Sequence, residues 1–306
     1  MSNQYSRFYA LKNNENTEIH MTGSLQLKAR AKINLALDVT NKRPDGYHNI
    51  RTIMQTIELY DIVTVNIIEK GIEVECNVEN VPLGRENTAY RAAELFIGKY
   101  GIDKGVKISI KKNIPVAAGL AGGSSDAAAV LKAMNQLFGI EADENELINM
   151  GRNIGADVPY CIKGGTILAE GIGDILTELK PLPKTYLLLV KPDLEVSTKV
   201  VYQSLDINKI NKRPDMSLLK KAIEEGRIEI LAGNMVNVLE TVTASKYEEI
   251  NIIKDKLISL GAIGSVMSGS GPTVFGIFRD RQAAEEACRA FSLSERNMSV
   301  IVTETA

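Results

Sequence analysis

Residues 115–129 read P-V-A-A-G-L-A-G-G-S-S-D-A-A-A, and how this stretch folds decides how the rest of the chain is read. Before it, residues 106–114 (V-K-I-S-I-K-K-N-I) alternate apolar and polar side chains, which predicts a half-buried strand. After it, an alanine-rich helical pattern starts at Ser124 and runs to Phe138. A strand, a loop of small residues and a helix start therefore follow one another. Unpaired N–H groups and the positive end of a helix dipole make such a junction an anion site. Small residues let the backbone approach phosphate oxygens closely. Ser124 and Ser125 can cap the helix and also offer hydroxyls to a phosphate or a magnesium ion. A capped helix after a tight turn is the plainer reading of glycine and serine alone; two adjacent glycines and two serines together favour phosphate.

Known phosphate loops of other kinds do not fit. A Walker A loop requires a lysine before its Ser or Thr, and none occurs here. A dinucleotide fingerprint belongs in the first strand–helix turn, with an acidic residue about 20 positions on. The H-R-D and D-F-G landmarks of protein kinases are also absent.

Outward from the loop, strands are expected at 25–39, 50–59 and 62–68, with a turn at 41–49 (N-K-R-P-D-G-Y-H-N). Helices are expected at 88–100 and 144–153, the second closed by Gly155 as C-cap. Two strands joined at 171–174 fill 164–179, and a buried strand follows at 186–190. Then come helices at 217–225 and 247–260, a strand–turn–strand at 265–278, a helix at 281–291 and a strand at 299–303. Strands and helices mix without strict alternation, an α+β pattern. The segment L-K-P-L-P-K at 179–184 suits a boundary, dividing 23–180 from 181–306. Residues 1–22 are polar and Asn-rich, and are expected to form a flexible extension.

Two further segments can carry chemistry. In A-R-A-K-I-N-L-A-L-D (29–38), Lys32 and Asn34 lie two apart on a strand and share a face opposite Ile33 and Leu35. A solvated strand edge is the ordinary role of such a lysine. In G-A-D-V-P (155–159), Asp157 sits between a helix end and a proline, where capping is the ordinary role.

Composition narrows the classes. The chain has 306 residues, with 36 basic against 38 acidic and a net charge of −2. It lacks the broad positive field a nucleic-acid backbone needs. Three separated cysteines and two histidines argue against a zinc site and suit a reducing cytoplasm. The first twenty residues hold no signal-peptide core, and no apolar run approaches the ~20 residues of a membrane span. A soluble cytoplasmic protein is expected.

In order, A-K-I-N-L (31–35), P-D-G-Y-H (44–48), the P-x-x-x-G-L-A-G-G-S-S-D-A-A loop and G-A-D-V-P resemble the GHMP small-molecule kinases, from about residue 25 onward. D-G-Y-H and G-A-D-V-P resemble the branch that acts on a cytidine-diphosphate-linked methylerythritol. The resemblance implies a two-domain fold, with an N-terminal domain like ribosomal protein S5 domain 2, a ferredoxin-like C-terminal domain and the site between them. It implies ATP as co-substrate, magnesium, and phosphorylation of the substrate's 2-hydroxyl in non-mevalonate isoprenoid biosynthesis, by a monomer or homodimer.

The same resemblance distributes roles. Asp157 resembles the catalytic base and Lys32 the lysine beside it, with Asn34 a neighbouring polar group at the substrate. Pro115, Val116, Ala117, Ala118, Gly119, Leu120, Ala121, Gly122, Gly123, Ser124 and Ser125 resemble the ATP loop. Tyr47 and His48 look like the cytidine-binding pair, Tyr202 like an aromatic closing over the base, and Lys112 like a further substrate or nucleotide contact. Residues 265–272, S-V-M-S-G-S-G-P, resemble a C-terminal glycine motif near the site. This chain has alanine at 117, 118 and 121 where some relatives have glycine, and Val238 where N-D-L-E is found elsewhere. The alternatives are a GHMP kinase of mevalonate, homoserine or a sugar, and a non-catalytic nucleotide-binding sensor.

Overall fold

Two long antiparallel strands, β2 (Ser24–Lys42) and β3 (His48–Ile68), form the spine of the first half in the computed structural model, which describes residues 18–20, 23–294 and 297–306. Their runs of β-branched and alternating apolar residues suit a pleated surface packed on a core. The pairing slips at three places, two of them between Arg30 and Lys32 and between Asn34 and Ala36. These irregularities bracket the Lys32–Asn34 stretch, and a bulge re-aims the side chains beside it.

The sheet is completed by β1 (Glu18–His20), β4 (Ile72–Cys76), β5 (Gly105–Lys111), β6 (Thr166–Gly171) and β7 (Ile175–Glu178), in the order β1-β2-β3-β5-β4. The far half of β3 pairs β5 and its near half pairs β6, so one strand serves two neighbours. The expected extension at 1–22 falls outside the described residues, except that Glu18–His20 pairs with Ser24–Gln26 and so belongs to the sheet.

Helices α1 (Thr88–Tyr100) and α2 (Gly122–Leu137) pack on this sheet, and α3 (Glu144–Arg152) packs against them. Their core joins Ala89, Ala93 and Phe96 of α1 and Ala127, Val130 and Met134 of α2 to Val63, Val65 and Ile108 of the strands. The alanines of α2 allow close approach to the strands while costing no side-chain entropy. Helix α3 closes at Asn153 in a right-handed conformation, so Gly155 is not the cap its position suggested. A short helix, α4 (Val158–Lys163), follows directly after Asp157.

The second sheet is antiparallel, ordered β11-β8-β10-β9, with β8 (Tyr186–Pro192), β9 (Gly264–Met267), β10 (Val274–Phe278) and β11 (Met298–Glu304). The helices of this half are α5 (Thr198–Ser204), α6 (Met216–Glu224), α7 (Ile228–Gly233), α8 (Glu240–Lys246), α9 (Glu249–Ser259) and α10 (Arg281–Ser294). A shared core ties the halves together: Ile33, Leu35, Ile53 and Ile57 of the first sheet meet Leu187, Leu189 and Phe275 of the second. Ile114, Ala118 and Leu120 of the glycine loop are buried in the same cluster. The loop is thereby held at the junction. Among the described residues no helix is long and apolar enough to cross a membrane.

Candidate active site

A cavity of about 1080 Å³ opens between the two halves, over the start of α2. Lys32, Asn34, Tyr47, His48, Lys112, Asp157 and Tyr202 all line it, as do residues 115–124. Lys32 and Tyr202, 170 positions apart in the chain, thus share one space.

The loop reaches its shape through left-handed backbone at Ala117, Gly119 and Ala121, with φ of 52°, 75° and 60°. For the two alanines this conformation costs roughly 1–2 kcal/mol each, which the buried anchors on either side offset. Ala121 turns the chain straight into α2, so the helix starts at Gly122 and not at the serines. No side chain caps it. The expected serine cap is therefore replaced by a bare helix start, whose first residues, Gly122 and Gly123, line the cavity and whose first N–H groups have no side-chain partner. Ser124 lines the cavity. Ser125 does not: its hydroxyl donates to the Arg30 carbonyl at 2.6 Å, with the Ala121 carbonyl 3.1 Å away, fastening α2 to β2.

Lys32 is buried, and its ammonium donates to Asn34 Oδ1 at 2.8 Å and to the Gly119 carbonyl at 3.1 Å. The Asp157 carboxylate lies 3.5 Å from the same nitrogen, with its side chain 38% exposed. Asp157 occupies the N-cap position of α4 yet makes no capping hydrogen bond. The ordinary role is unused, leaving the carboxylate to face Lys32 and the cavity.

Lys112 also reaches the cavity wall, with its ammonium held between two carboxylates, Asp61 and, at 2.8 Å, Asp126. Asp61 in addition accepts the backbone N–H groups of Asn113 (2.6 Å) and Ile114 (2.8 Å). Burial pushes the Asp126 carboxyl up to about 7, with Lys112 opposing and Asp61 reinforcing that rise.

At another part of the wall the rings of His48 and Tyr202 face each other, 5.5 Å apart and tilted by 35°. His48 is buried, while Tyr47 is 62% exposed. Helix α5, which carries Tyr202, is latched to the C-terminal motif by a Thr198–Ser270 hydroxyl contact of 2.7 Å. Ser268 of that motif donates to the Gly119 carbonyl at 3.1 Å and accepts the Asn34 N–H at 3.3 Å. Val238 is buried in the second-half core, a packing position. Its neighbour Asn237 donates to the carbonyls of Met267 and Gly269.

Several contributors carried no sequence signal of their own. Thr52, Asp61 and Asp126 are ordinary polar residues on a strand or helix, and their partners lie 14 to 53 positions away. Ser268 stood inside the flagged glycine motif, but its contact with Gly119 spans 149 positions.

The family models for the GHMP kinases N terminal domain and the GHMP kinases C terminal domain match residues 87–165 and 219–295. A 4-diphosphocytidyl-2-C-methyl-D-erythritol kinase of Acetivibrio thermocellus is 55% identical over 283 residues, covering 92% of this chain and 99% of the relative. A Clostridium botulinum protein of the same name is 50% identical over 281 residues, covering 92% and 100%. A crystal structure of 4-(cytidine 5'-diphospho)-2C-methyl-D-erythritol kinase superposes with a TM-score of 0.79 at 33% identity, covering 92% of this chain and 99% of that one. A homoserine kinase from Cytophaga hutchinsonii reaches 0.73 at 19% identity, covering 94% and 96%, which reflects the common fold.

Proposed function

Since the chain belongs to the 4-diphosphocytidyl-2-C-methyl-D-erythritol kinases of the GHMP family, we propose that its cavity transfers the γ-phosphoryl group of ATP to the 2-hydroxyl of that cytidylyl substrate. The observation that supports this reading best is the Lys32–Asp157 pair, standing between an uncapped helix start and an aromatic pair in one cavity.

Phosphoryl transfer asks for positioning and charge stabilisation more than covalent chemistry. The N–H groups at the start of α2 and the loop backbone hold the β- and γ-phosphates. Asp157 accepts the proton of the attacking hydroxyl, and Lys32 orients that carboxylate and meets the charge on the transferring oxygens. His48 and Tyr202, with Tyr47 at the rim, recognise the cytosine by stacking and edge hydrogen bonds. Lys112 sets the wall beside the nucleotide, with its charge shared by Asp61 and Asp126.

Magnesium fits as an ion carried mainly by the nucleotide. No cluster of three or more His, Cys, Asp or Glu side chains stands ready for a metal among the described residues, and magnesium commonly keeps its waters and takes phosphate oxygens plus a few protein ligands. Ser124 is the hydroxyl at the helix start that would contribute, and the ion would neutralise phosphate charge.

ADP release, coupled to a reporter reaction, tests the reading with the cytidylyl substrate beside mevalonate and homoserine. Release with the cytidylyl substrate alone is expected. Turnover of another alcohol in preference, or ATP binding with no turnover of any, would overturn it. In the same assay Asp157→Asn lowers kcat by about 10²–10⁴, the usual weight of a general base, with little change in KM.

A further inference from the structure

We infer that Thr52 is a positioning residue for the phosphoryl transfer, acting by fixing which end of the Asn34 amide faces Lys32; the inference rests on the proposed pairing of Lys32 with Asp157. All three side chains are buried: Thr52 is 1% exposed, and Lys32 and Asn34 are 3% exposed. The Thr52 hydroxyl lies 2.6 Å from the Ala36 carbonyl. A carbonyl can only accept, so the hydroxyl proton points there and the Thr52 oxygen is left as an acceptor. The Asn34 amide nitrogen, 2.8 Å from that oxygen, is the donor it meets. The other end of the amide, Oδ1, is therefore turned to the Lys32 ammonium at 2.8 Å.

The chain of bonds has one sense only. Reversing Asn34 would set an amide NH₂ against an ammonium and leave an oxygen facing an oxygen, with two buried groups unsatisfied. Held as it is, Asn34 takes one of the three ammonium protons and the Gly119 carbonyl takes another. The third is directed to Asp157, 3.5 Å away, and to whatever oxygen enters between them. Asn34 thus has both amide ends engaged within the protein, so its contribution to the site is to aim Lys32. The irregular pairing on both sides of this stretch of β2 brings Lys32, Asn34 and the β3 residue Thr52 together on the cavity wall.

The test is steady-state kinetics with ATP and the cytidylyl substrate on Thr52→Val, which keeps the shape without the hydroxyl, and on Thr52→Ser, which restores it. Thr52→Val is expected to lower kcat by about 10–100-fold, as loss of an outer-shell partner does, with both KM values within about twofold of the parent. Thr52→Ser is expected to recover kcat to within about threefold. Unchanged kcat in Thr52→Val, or equal loss in the Val and Ser variants, would overturn the inference, because a packing role would show in thermal stability and not follow the hydroxyl. If Thr52→Val does not fold, Thr52→Ala is read by the same criteria. Asp157→Asn measured alongside separates the two levels. Its inactivity with Thr52→Val at parental kcat overturns the role of Thr52 alone, whereas normal turnover in Asp157→Asn removes the premise and the inference together.

Discussion

Burial, with the charge of Lys42 adding to it, holds the His48 imidazole below its usual 6.5. The ring is thus neutral at pH 7, with one N–H to give and one lone pair to accept. Cytosine presents a donor and acceptors along one edge, so a neutral imidazole suits it in the proposed role. The sign follows directly: KM for the cytidylyl substrate should stay level from about pH 8 to about 6.5 and climb only in more acid solution, as the lone pair is lost. His48→Ala should raise that KM about tenfold, the weight of roughly one hydrogen bond, and leave KM for ATP unchanged. Equal movement of both constants would remove His48 from cytosine recognition. Tyr202, its ring partner, is held neutral by burial and by the nearby Asp157 carboxylate, both of which push its phenol above the usual range.

Three elements meet at Lys112, which stands just past the end of β5, between Asp61 of β3 and Asp126 in the first turns of α2. Removing one charge from a buried group of this kind leaves another uncompensated, and Asp61→Asn should cost about 3–5 kcal/mol in denaturant unfolding. Asp126→Asn should be milder, since Lys112 keeps Asp61. It should also depend on pH. The Asp126 carboxyl rises from 3.8 to about 7 on folding, so its contribution is present in acid and lost as the pH climbs through about 7. Compared with the parent, Asp126→Asn should therefore gain thermal stability between about pH 5 and about pH 8. Nothing local marks these pairings, because each joins residues whose proximity only the fold creates. What the chain makes legible is periodic or compositional: Lys32 and Asn34 on one face by the strand repeat, and α1 and α2 by their apolar stripes. Helices α4, α5, α7 and α8 have six or seven residues each, too few for a helical period to stand out in the sequence. Helix α2 starts at Gly122, two residues before the pattern suggests, because the left-handed turn is made by Ala121, a residue type that does not advertise it.

Across the whole molecule the halves meet at the Gly119 carbonyl, which accepts from Lys32 on the first sheet and from Ser268 on the C-terminal motif, each at 3.1 Å. Gly119 itself has a φ of +75°, and a Cβ there would lie 2.5 Å from the Ser268 carbonyl oxygen and 3.0 Å from that of Gly271. Gly119→Ala should therefore destabilise by about 2–4 kcal/mol, from left-handed strain plus crowding against backbone. It should also lower kcat by about 10²-fold, the effect of displacing reacting groups by roughly 1 Å. Gly139→Ala is the control, since it has φ +60° with nothing within 4 Å of its Cβ and lies past the end of α2, outside the cavity lining. It shares the strain without the collision, and should cost less in unfolding measurements and nothing comparable in kcat.

That doubly held carbonyl has a use beyond the enzyme. A backbone cut in the stretch 179–185 would produce one fragment bearing the loop and Lys32 and another bearing Ser268. Each fragment would own half of a single grip on the glycine loop, and restored ADP release would report their reunion, making the seam a natural place to build a fragment-complementation sensor.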